Sequence, residues 1–574
     1  MSIAATRDQR LLAGPVVLDG RLARLAWSAG AGAFMAFSLP TVFPIWGKTE
    51  ILPGGALTCL AYVSMIPLFA VLERTPSRRS FWPGFVFGLG YFSVAIWWID
   101  IAMHTFGGIP NYLAIPVLYL LILFLAVHWG AATLLARFCA DRLGFPLWTL
   151  LPPIWTAFEL VRNYLFSGYP WGDLGYTLAR FRLTAQWASL FGVYGLAFLV
   201  VLYNGALYEL GKGWFSRRAL ARAPALALAL ALVLPNAWGA YRLGVVDREV
   251  AAASKLPVAI VQPNVDQKIR NGVASNAPMS AEEYRDFILR RTLPLSEQAD
   301  RDGAALVAWP EASFPIDLPS HPSHLPPLGI PPLHAQLLVG GVTFGIEHGH
   351  RLLTNSAFAV DGSERILAQY DKHHLVPFGE YVPLEKTLHL PIHAVVPDIG
   401  FFDPGDDLQV FTLHAGTREV RYAPLICYDA IFPEISAGFA RQDPDFLVNL
   451  TNDAWYGFSS ASYQFLSMVT LRAIETGKAL VRPANTGISA FIDPAGRIVS
   501  RTPIGLVDTS ADVVGTASAV PPVLLEGQVP LLRSRTPYVV IGDAFAYLCA
   551  AFAAGLWFIA RKREGPSDAS RRTA

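Results

Sequence analysis

Four side chains in this sequence have the types that nucleophilic attack on a carbonyl needs. Cys427 closes the apolar run of "RYAPLICYDAIFPEI" (421–435), Glu311 follows Pro310 in "VAWPEASFP", and Lys372 and Glu380 share "YDKHHLVPFGEYVP". A thiol of ordinary pKa, about 8.5, is mostly protonated at neutral pH; it attacks faster when a base takes its proton or a cation stabilises the thiolate. Glu311 is a candidate base and Lys372 a candidate cation. Lys372 could also stabilise the oxyanion formed when a thiolate attacks a carbonyl, with the backbone N–H of Tyr428 as second donor. Each residue also has a plainer reading. Free cysteines commonly just pack, and Glu311 with Lys372 could be a surface ion pair. His373 and His374 beside Glu380 lack the spacing of a helical ligand pair, so no metal is expected. Asp371 reads as turn chemistry. The chain has no G-x-S-x-G, P-loop or Rossmann fingerprint to support serine-hydrolase or nucleotide chemistry.

Short β-like runs position these residues. "LPVAIVQPNV" (256–265), "AALVAWPEA" (304–312), "AQLLVGGVTF" (335–344) and "TNSAFAVD" (354–361) begin the series; "EVRYAPLICYD", "DFLVNLTND" and "GISAFIDPAGRIVS" continue it. Helical patterns lie between them over 280–300, with Ser280 and Glu283 spaced as a capping box, and over 461–477. Strands alternating with helices predict an α/β domain. "DPAGR" predicts a hairpin turn, with Pro at its second position and Gly at its fourth.

The rest of the chain is different in kind. Of 574 residues, 53% are hydrophobic and 16% charged, against about 25% charge in a soluble domain. The net charge of +1 gives no reason to expect nucleic acid. Apolar runs of about 20 residues, the length that crosses a bilayer core, centre on 25–45, 53–72, 82–103, 112–136, 145–165, 184–210 and 219–240, and again on 537–560. The expected organisation is a cytoplasmic segment over 1–24 and a seven-span bundle over 25–245. A soluble domain follows over 250–535, then one span over 537–560 and a cytoplasmic tail over 561–574. Lys and Arg gather in alternate loops: Arg7, Arg10, Arg21 and Arg24; Arg74, Arg78 and Arg79; Arg137 and Arg142; Lys212, Arg217, Arg218 and Arg222; and Arg561, Lys562 and Arg563. Positive loops stay in the cytoplasm, which places the soluble domain outside it; only Arg180 and Arg182 run against the pattern. The N-terminus lacks a signal-peptide cleavage pattern, so the first span is expected to be retained. Cys59, Cys139 and Cys549 fall in apolar segments, leaving Cys427 as the lone thiol of the exported domain, with no disulfide framework.

Glu, Lys and Cys in that chain order, each just after a strand, resemble the nitrilase superfamily of carbon–nitrogen hydrolases. The strings "WPEASFP", "YDKHHLVPFGEYVPLE", "ICYD", "NLTNDAWYG" and "ANTGISAFIDPAGRI" are similar to the apolipoprotein N-acyltransferase family, as are "FSGYPWGDLGY" (166–176) and "HTFGGIP" (104–110) in the membrane part. The resemblance spans nearly the whole chain. It implies an integral membrane protein with about eight transmembrane helices and a nitrilase-like αββα sandwich on the periplasmic face of the inner membrane. It further implies that Cys427 takes an acyl chain from a phospholipid as a thioester and passes it to the α-amino group of an S-diacylglyceryl-cysteine on an apolipoprotein. In that scheme Glu311 is the general base, Lys372 the oxyanion stabiliser and Glu380 a supporting carboxylate. Asn355, Tyr428 and Trp455 match positions near the pocket, and Trp171 matches a tryptophan at its membrane face. No cofactor is implied, and a monomer is expected.

Two departures stand out. Asp429 follows Cys-Tyr where the family has Glu, and "VQPNVDQKIRNGV" lacks the family's tryptophan. The apolar stretch "LHLPIHAVVPDIGFFDPG" (388–405), with Val395 and Val396, is expected to lie against the bilayer as an entry lid. The rival readings are a membrane-tethered amidase or nitrilase acting on small amides, and a receptor or transporter whose exported domain only binds. One anchor would suffice for the amidase. Charges within the spans, which usually mark a transport path, are scarce apart from Glu159 and Asp173.

Overall fold

The computed structural model describes residues 20–45, 48–52, 57–215, 221–266, 269, 279–327, 332–347, 350–381, 401–503 and 520–563. The expected lid, with Val395 and Val396, falls mostly outside them, as does nearly all of the C-terminal tail.

The membrane part is helical. Its main helices are α1 (Arg21–Ala36), α2 (Ile66–Glu73), α3 (Phe81–Ala95), α4 (Asn111–Leu143), α5 (Leu147–Tyr164), α6 (Ala188–Phe215) and α7 (Arg222–Ala252). Among the described residues four helices are long and apolar enough to cross a membrane: α4, α6, α7 and the C-terminal Ala544–Lys562. The run expected as a first span over 25–45 is helical only to Ala36. Pro40 and Pro44 lie beyond that point; proline removes a backbone donor and breaks helix interiors. There Thr41–Ile45 (β1) pairs antiparallel with Lys48–Leu52 (β2). Helices α3 and α4 pack closely because Gly84 and Gly88 face α4; a Cβ at Gly88 would stand 2.9 Å from Ala126 Cα. Such small-residue contacts are how membrane helices associate where no hydrophobic drive separates them from lipid. Outward faces stay apolar, with Leu120 on α4 and Val233 on α7 more than half exposed.

Helix α7 ends at Ala252, and strand β3 (Lys255–Gln262) begins three residues later. From there two sheets form. The first runs in the order β15-β3-β4-β6-β7-β8, with β5 (Leu318–Pro319) beside β6; the second runs β14-β13-β12-β11-β10-β9. In the first, β3, β4 (Leu306–Ala308) and β6 (Gln336–Glu347) are parallel, while β7 (His350–Val360), β8 (Ile366–Asp371) and β15 (Val523–Pro530) pair antiparallel. In the second, β10 (Arg418–Ile426), β11 (Phe446–Leu450) and β12 (Ala479–Arg482) are parallel. Strand β9 (Phe411–Ala415), β13 (Ala490–Ile492) and β14 (Ile498–Arg501) complete it antiparallel. The sheets face each other: Tyr422 Oη on β10 donates to Gln336 Oε1 on β6 at 2.7 Å.

Helix α8 (Ala281–Arg301) covers the first sheet, and its capping box is present, Ser280 Oγ accepting from Glu283 N and the Glu283 carboxylate from Ser280 N. Helices α9 (Pro433–Ala440) and α10 (Ser460–Thr476) lie on the second. Parallel strands buried on both faces need such cover. The hairpin at "DPAGR" forms between β13 and β14, with Asp493 Oδ1 accepting from Ala495 N and Arg497 N and Gly496 at φ +75°. Helix α10 is buried almost all round, as a helix between two layers must be; it separates the second sheet from α6. The last helix, α11 (Ala544–Lys562), packs on α5.

Candidate active site

Strand ends bring the chemistry together. Glu311 sits three residues beyond β4, Lys372 follows β8, and Cys427 opens the turn after β10. Cys427 adopts φ +46° and Ala312 φ +44°, a left-handed conformation that costs a non-glycine residue on the order of 1–3 kcal/mol and persists only where its surroundings impose it. At Cys427 the restraints are visible. Asn449 Nδ2 on β11 donates to Leu425 O and Cys427 O, each at 3.3 Å, and Asp429 Oδ2 accepts from Ile426 N at 3.0 Å.

The carboxylates converge on one ammonium. Lys372 Nζ lies 3.2 Å from Glu311 Oε1 and 2.8 Å from Glu380 Oε1. Asn355 Nδ2 on β7 bridges the same two oxygens, at 2.8 Å and 3.0 Å, and Asn355 O accepts from Lys372 N. The other oxygens are held by main chain: Glu311 Oε2 by Asn452 N at 2.9 Å, and Glu380 Oε2 by Val376 N at 2.8 Å. Lys372 is only 1% exposed. Burial works against its charge, but the carboxylates of Glu311 and Glu380 outweigh it and hold the lysine well above its ordinary value. Burial and the charge of Glu311 push the Cys427 thiol up, against the opposing pull of Lys372. At rest the sulfur is therefore a neutral thiol beside a carboxylate and a cation, a set able to form and hold a covalent acyl group.

Asp429 lies in the same turn. Its Oδ2 also accepts from Tyr370 Oη on β8 at 2.8 Å, and its Oδ1 from His374 N at 2.8 Å. The shorter carboxylate thus ties the cysteine turn to the lysine loop. His374 stacks on Phe432, and His373 Nδ1 meets Gly405 O at 2.9 Å. Among the described residues the buried Tyr428 hydroxyl and Asn355 Oδ1 have no hydrogen-bond partner; such atoms need a reason in a native site.

The two tryptophans sit where the membrane part meets the domain. Trp171 is buried where bundle and domain meet, its Nε1 donating to Gln464 Oε1 at 2.8 Å. Trp455, 37% exposed, packs edge-on against Phe106 of the membrane part. Glu159 and Asp173 support the loop carrying Trp171. Asp173 pairs with the buried Arg162, and Glu159 Oε1 accepts from Trp155 Nε1 and Leu174 N, each at 3.1 Å. Sequence reasoning gave no role to Thr451, Asn452, Asp453, Arg482 or Gln464. The string "NLTND" places Thr451, Asn452 and Asp453 directly after a strand, the same position that singled out Cys427.

Residues 29–206 match the family described as Apolipoprotein N-acyltransferase N-terminal domain, and residues 258–506 match Carbon-nitrogen hydrolase. Proteins named Apolipoprotein N-acyltransferase are similar across most of their length. The one from Geobacter metallireducens is 35% identical, covering 89% of this chain and 93% of its own. That from Pasteurella multocida is 30% identical, covering 85% and 88%. Among solved structures, Nit3 of Saccharomyces cerevisiae, a nitrilase-superfamily member, aligns at 15% identity and TM-score 0.31 over 48% of this chain and 90% of its own. That likeness is too weak to add to the fold assignment.

Proposed function

The chain belongs to the family of apolipoprotein N-acyltransferases, and from that premise we propose that Cys427 carries an acyl group between two lipid substrates. The protein is a membrane acyltransferase acting in lipoprotein N-acylation. Its donor is a phospholipid and its acceptor the α-amino group of an S-diacylglyceryl-cysteine at a lipoprotein N-terminus.

In the first half-reaction Cys427 Sγ bonds to the ester carbonyl carbon. Glu311 takes the thiol proton and delivers it to the glycerol oxygen as the ester C–O bond breaks, releasing lysophospholipid. Lys372 Nζ and the Tyr428 backbone N–H meet the oxyanion. In the second, the neutral amine attacks the thioester carbon. Glu311 takes its proton and returns it to sulfur as the C–S bond breaks. An α-amine of ordinary pKa, about 7.7–8.0, supplies neutral base at working pH. Glu380 and Asn355 hold Glu311 and Lys372 in register, Asp429 fixes the turn, and Tyr428, Trp171 and Trp455 border the acyl chain.

A two-chain lipid does not leave the bilayer, so the site comes to the lipid. Seven crossings over 25–245 precede the periplasmic domain (250–535), and one over 537–560 follows it, in the inner membrane. The alternating Lys/Arg loops support this orientation.

What carries the reading is Lys372 Nζ, held by Glu311 and Glu380 within electrostatic reach of Cys427. The test supplies labelled phospholipid and an S-diacylglyceryl-cysteine peptide together. Equal amounts of lysophospholipid and N-acyl peptide are expected, and neither from Cys427→Ala. N-acyl peptide formed by Cys427→Ala would contradict the reading.

A further inference from the structure

Thr451 is the first residue beyond β11, fully buried, and its hydroxyl touches the nucleophile. Oγ1 lies 3.4 Å from Cys427 Sγ and 3.0 Å from Asp453 Oδ1, placed to donate to either. A hydroxyl has one proton and cannot donate to both at once.

The surroundings leave that proton as the free variable. The Thr451 backbone is pinned, its N–H donating to Pro483 O and its carbonyl accepting from Asn485 N, each at 3.0 Å. Asp453 does not depend on Thr451 either. Arg482 Nη2 reaches its two oxygens at 3.1 Å and 3.2 Å, and Nη1 lies 3.3 Å from Oδ2. Arg482 is anchored in turn by Ile488 O at 3.0 Å and by the Phe465 ring beneath its guanidinium. The carboxylate therefore stays compensated when the hydroxyl turns away.

We infer that the Thr451 hydroxyl proton is a two-position switch that follows the charge on Cys427. It points to Asp453 while the sulfur is a thiol or thioester, and to the sulfur while it is a thiolate. This makes Thr451 a further catalytic residue, and it rests on Cys427 being the nucleophile. In acylation the thiol proton leaves for Glu311, the S–C bond forms and the ester C–O bond breaks; the hydroxyl turns to sulfur only while negative charge resides there. In aminolysis the N–C bond forms and the C–S bond breaks. The departing thiolate meets the same O–H until Glu311 returns its proton. A hydrogen bond to a charged acceptor is about twice as strong as one to a neutral acceptor, and a buried thiolate with no donor is costly. The switch thus favours the charged sulfur over both neutral states.

The experiment measures iodoacetamide alkylation of Cys427 against pH, by peptide-resolved mass spectrometry on the full chain in lipid nanodiscs. Wild type, Thr451→Val and Thr451→Ser are compared. Val keeps the branched shape without the hydroxyl; Ser keeps the hydroxyl without the methyl. The switch predicts that Thr451→Val moves the alkylation profile up by about one pH unit and slows acyl loading and discharge about tenfold, while Thr451→Ser tracks wild type. A role in packing alone predicts the reverse, with Thr451→Ser impaired and Thr451→Val normal, and that result would overturn the inference. Should Thr451→Val fail to accumulate, Thr451→Ser and Thr451→Ala, which differ by one oxygen, carry the same comparison. Undiminished transfer by protein fully alkylated at Cys427 would overturn the nucleophile assignment itself, and the switch with it.

Discussion

Lys372 keeps its charge in a buried site only because two carboxylates meet it. Desolvation alone would drive a lysine towards neutrality, yet Glu311 and Glu380 hold it well above its ordinary value. The sign of the pH effect follows. The stability this lysine contributes is fully present below its ordinary pKa, about 10.4, and is lost only as pH rises through the higher folded value. Thermal melts and transfer rates followed from pH 7 to about 10 are therefore expected to show no loss traceable to Lys372. Removing the charge is another matter: Lys372→Met should lower the acylation rate at least about 100-fold, as loss of an oxyanion donor worth about 3 kcal/mol does. Glu311→Gln should slow acyl loading by about 100-fold or more, because a buried thiol pushed up in pKa then has no proton acceptor. Single-turnover loading measures both. Asp429 shows how a departure from the family pattern is absorbed. One methylene shorter than Glu, it still accepts from Ile426 N, Tyr370 Oη and His374 N.

Element by element, what could be read from the sequence followed local rules. Ser280 with Glu283 marked the start of α8, "DPAGR" marked the β13–β14 hairpin, and apolar runs ending in polar residues marked β4 and β10. The parts that escaped depend on distant partners. Strand β12 is four residues long and carries Arg482, whose charge makes sense only beside Asp453, 29 positions earlier. Strand β15 holds Glu526 and Gly527, which weaken any strand pattern, and it is fixed by pairing with β3. Gln464 looks like an ordinary polar residue on α10. In the fold its Oε1 accepts from Trp98 Nε1 and Trp171 Nε1, and its Nε2 donates to Pro40 O and Ala95 O. This one side chain joins the domain to α3 and to the loop of Trp171. Gln464→Leu strands two buried indole N–H groups, each at about 1–3 kcal/mol. The expected outcome is a lower melting temperature and altered tryptophan emission, checked by fluorescence-detected unfolding; an unchanged melt would remove Gln464 from the account of how the two parts join. Gly487 is similarly constrained: at φ +79°, a Cβ would stand 2.5 Å from Asp453 Oδ2, so Gly487→Ala should disturb the carboxylate that shares the Thr451 proton.

For the whole molecule, the proposed reaction poses a problem of phase: a phospholipid donor would sit in lipid and the acceptor amine in water. Helix α7 leads almost directly into β3, the strand beside β4, whose far end delivers Glu311, so the catalytic sheets stand directly on the bundle. The eight-crossing topology is testable with a reporter fused after Lys255, expected outside the cytoplasm, and another after Arg563, expected inside. Both on one side would contradict it. The central claim, that Cys427 holds the acyl chain between two half-reactions, is tested most directly by intact-mass measurement of the protein incubated with phospholipid alone. The expected result is a gain of one acyl group, an equal yield of lysophospholipid, loss of the added mass on neutral hydroxylamine or on adding the S-diacylglyceryl-cysteine peptide, and no gain for Cys427→Ala. A protein that gains no acyl mass from donor alone yet transfers at full rate when both substrates are present would contradict it.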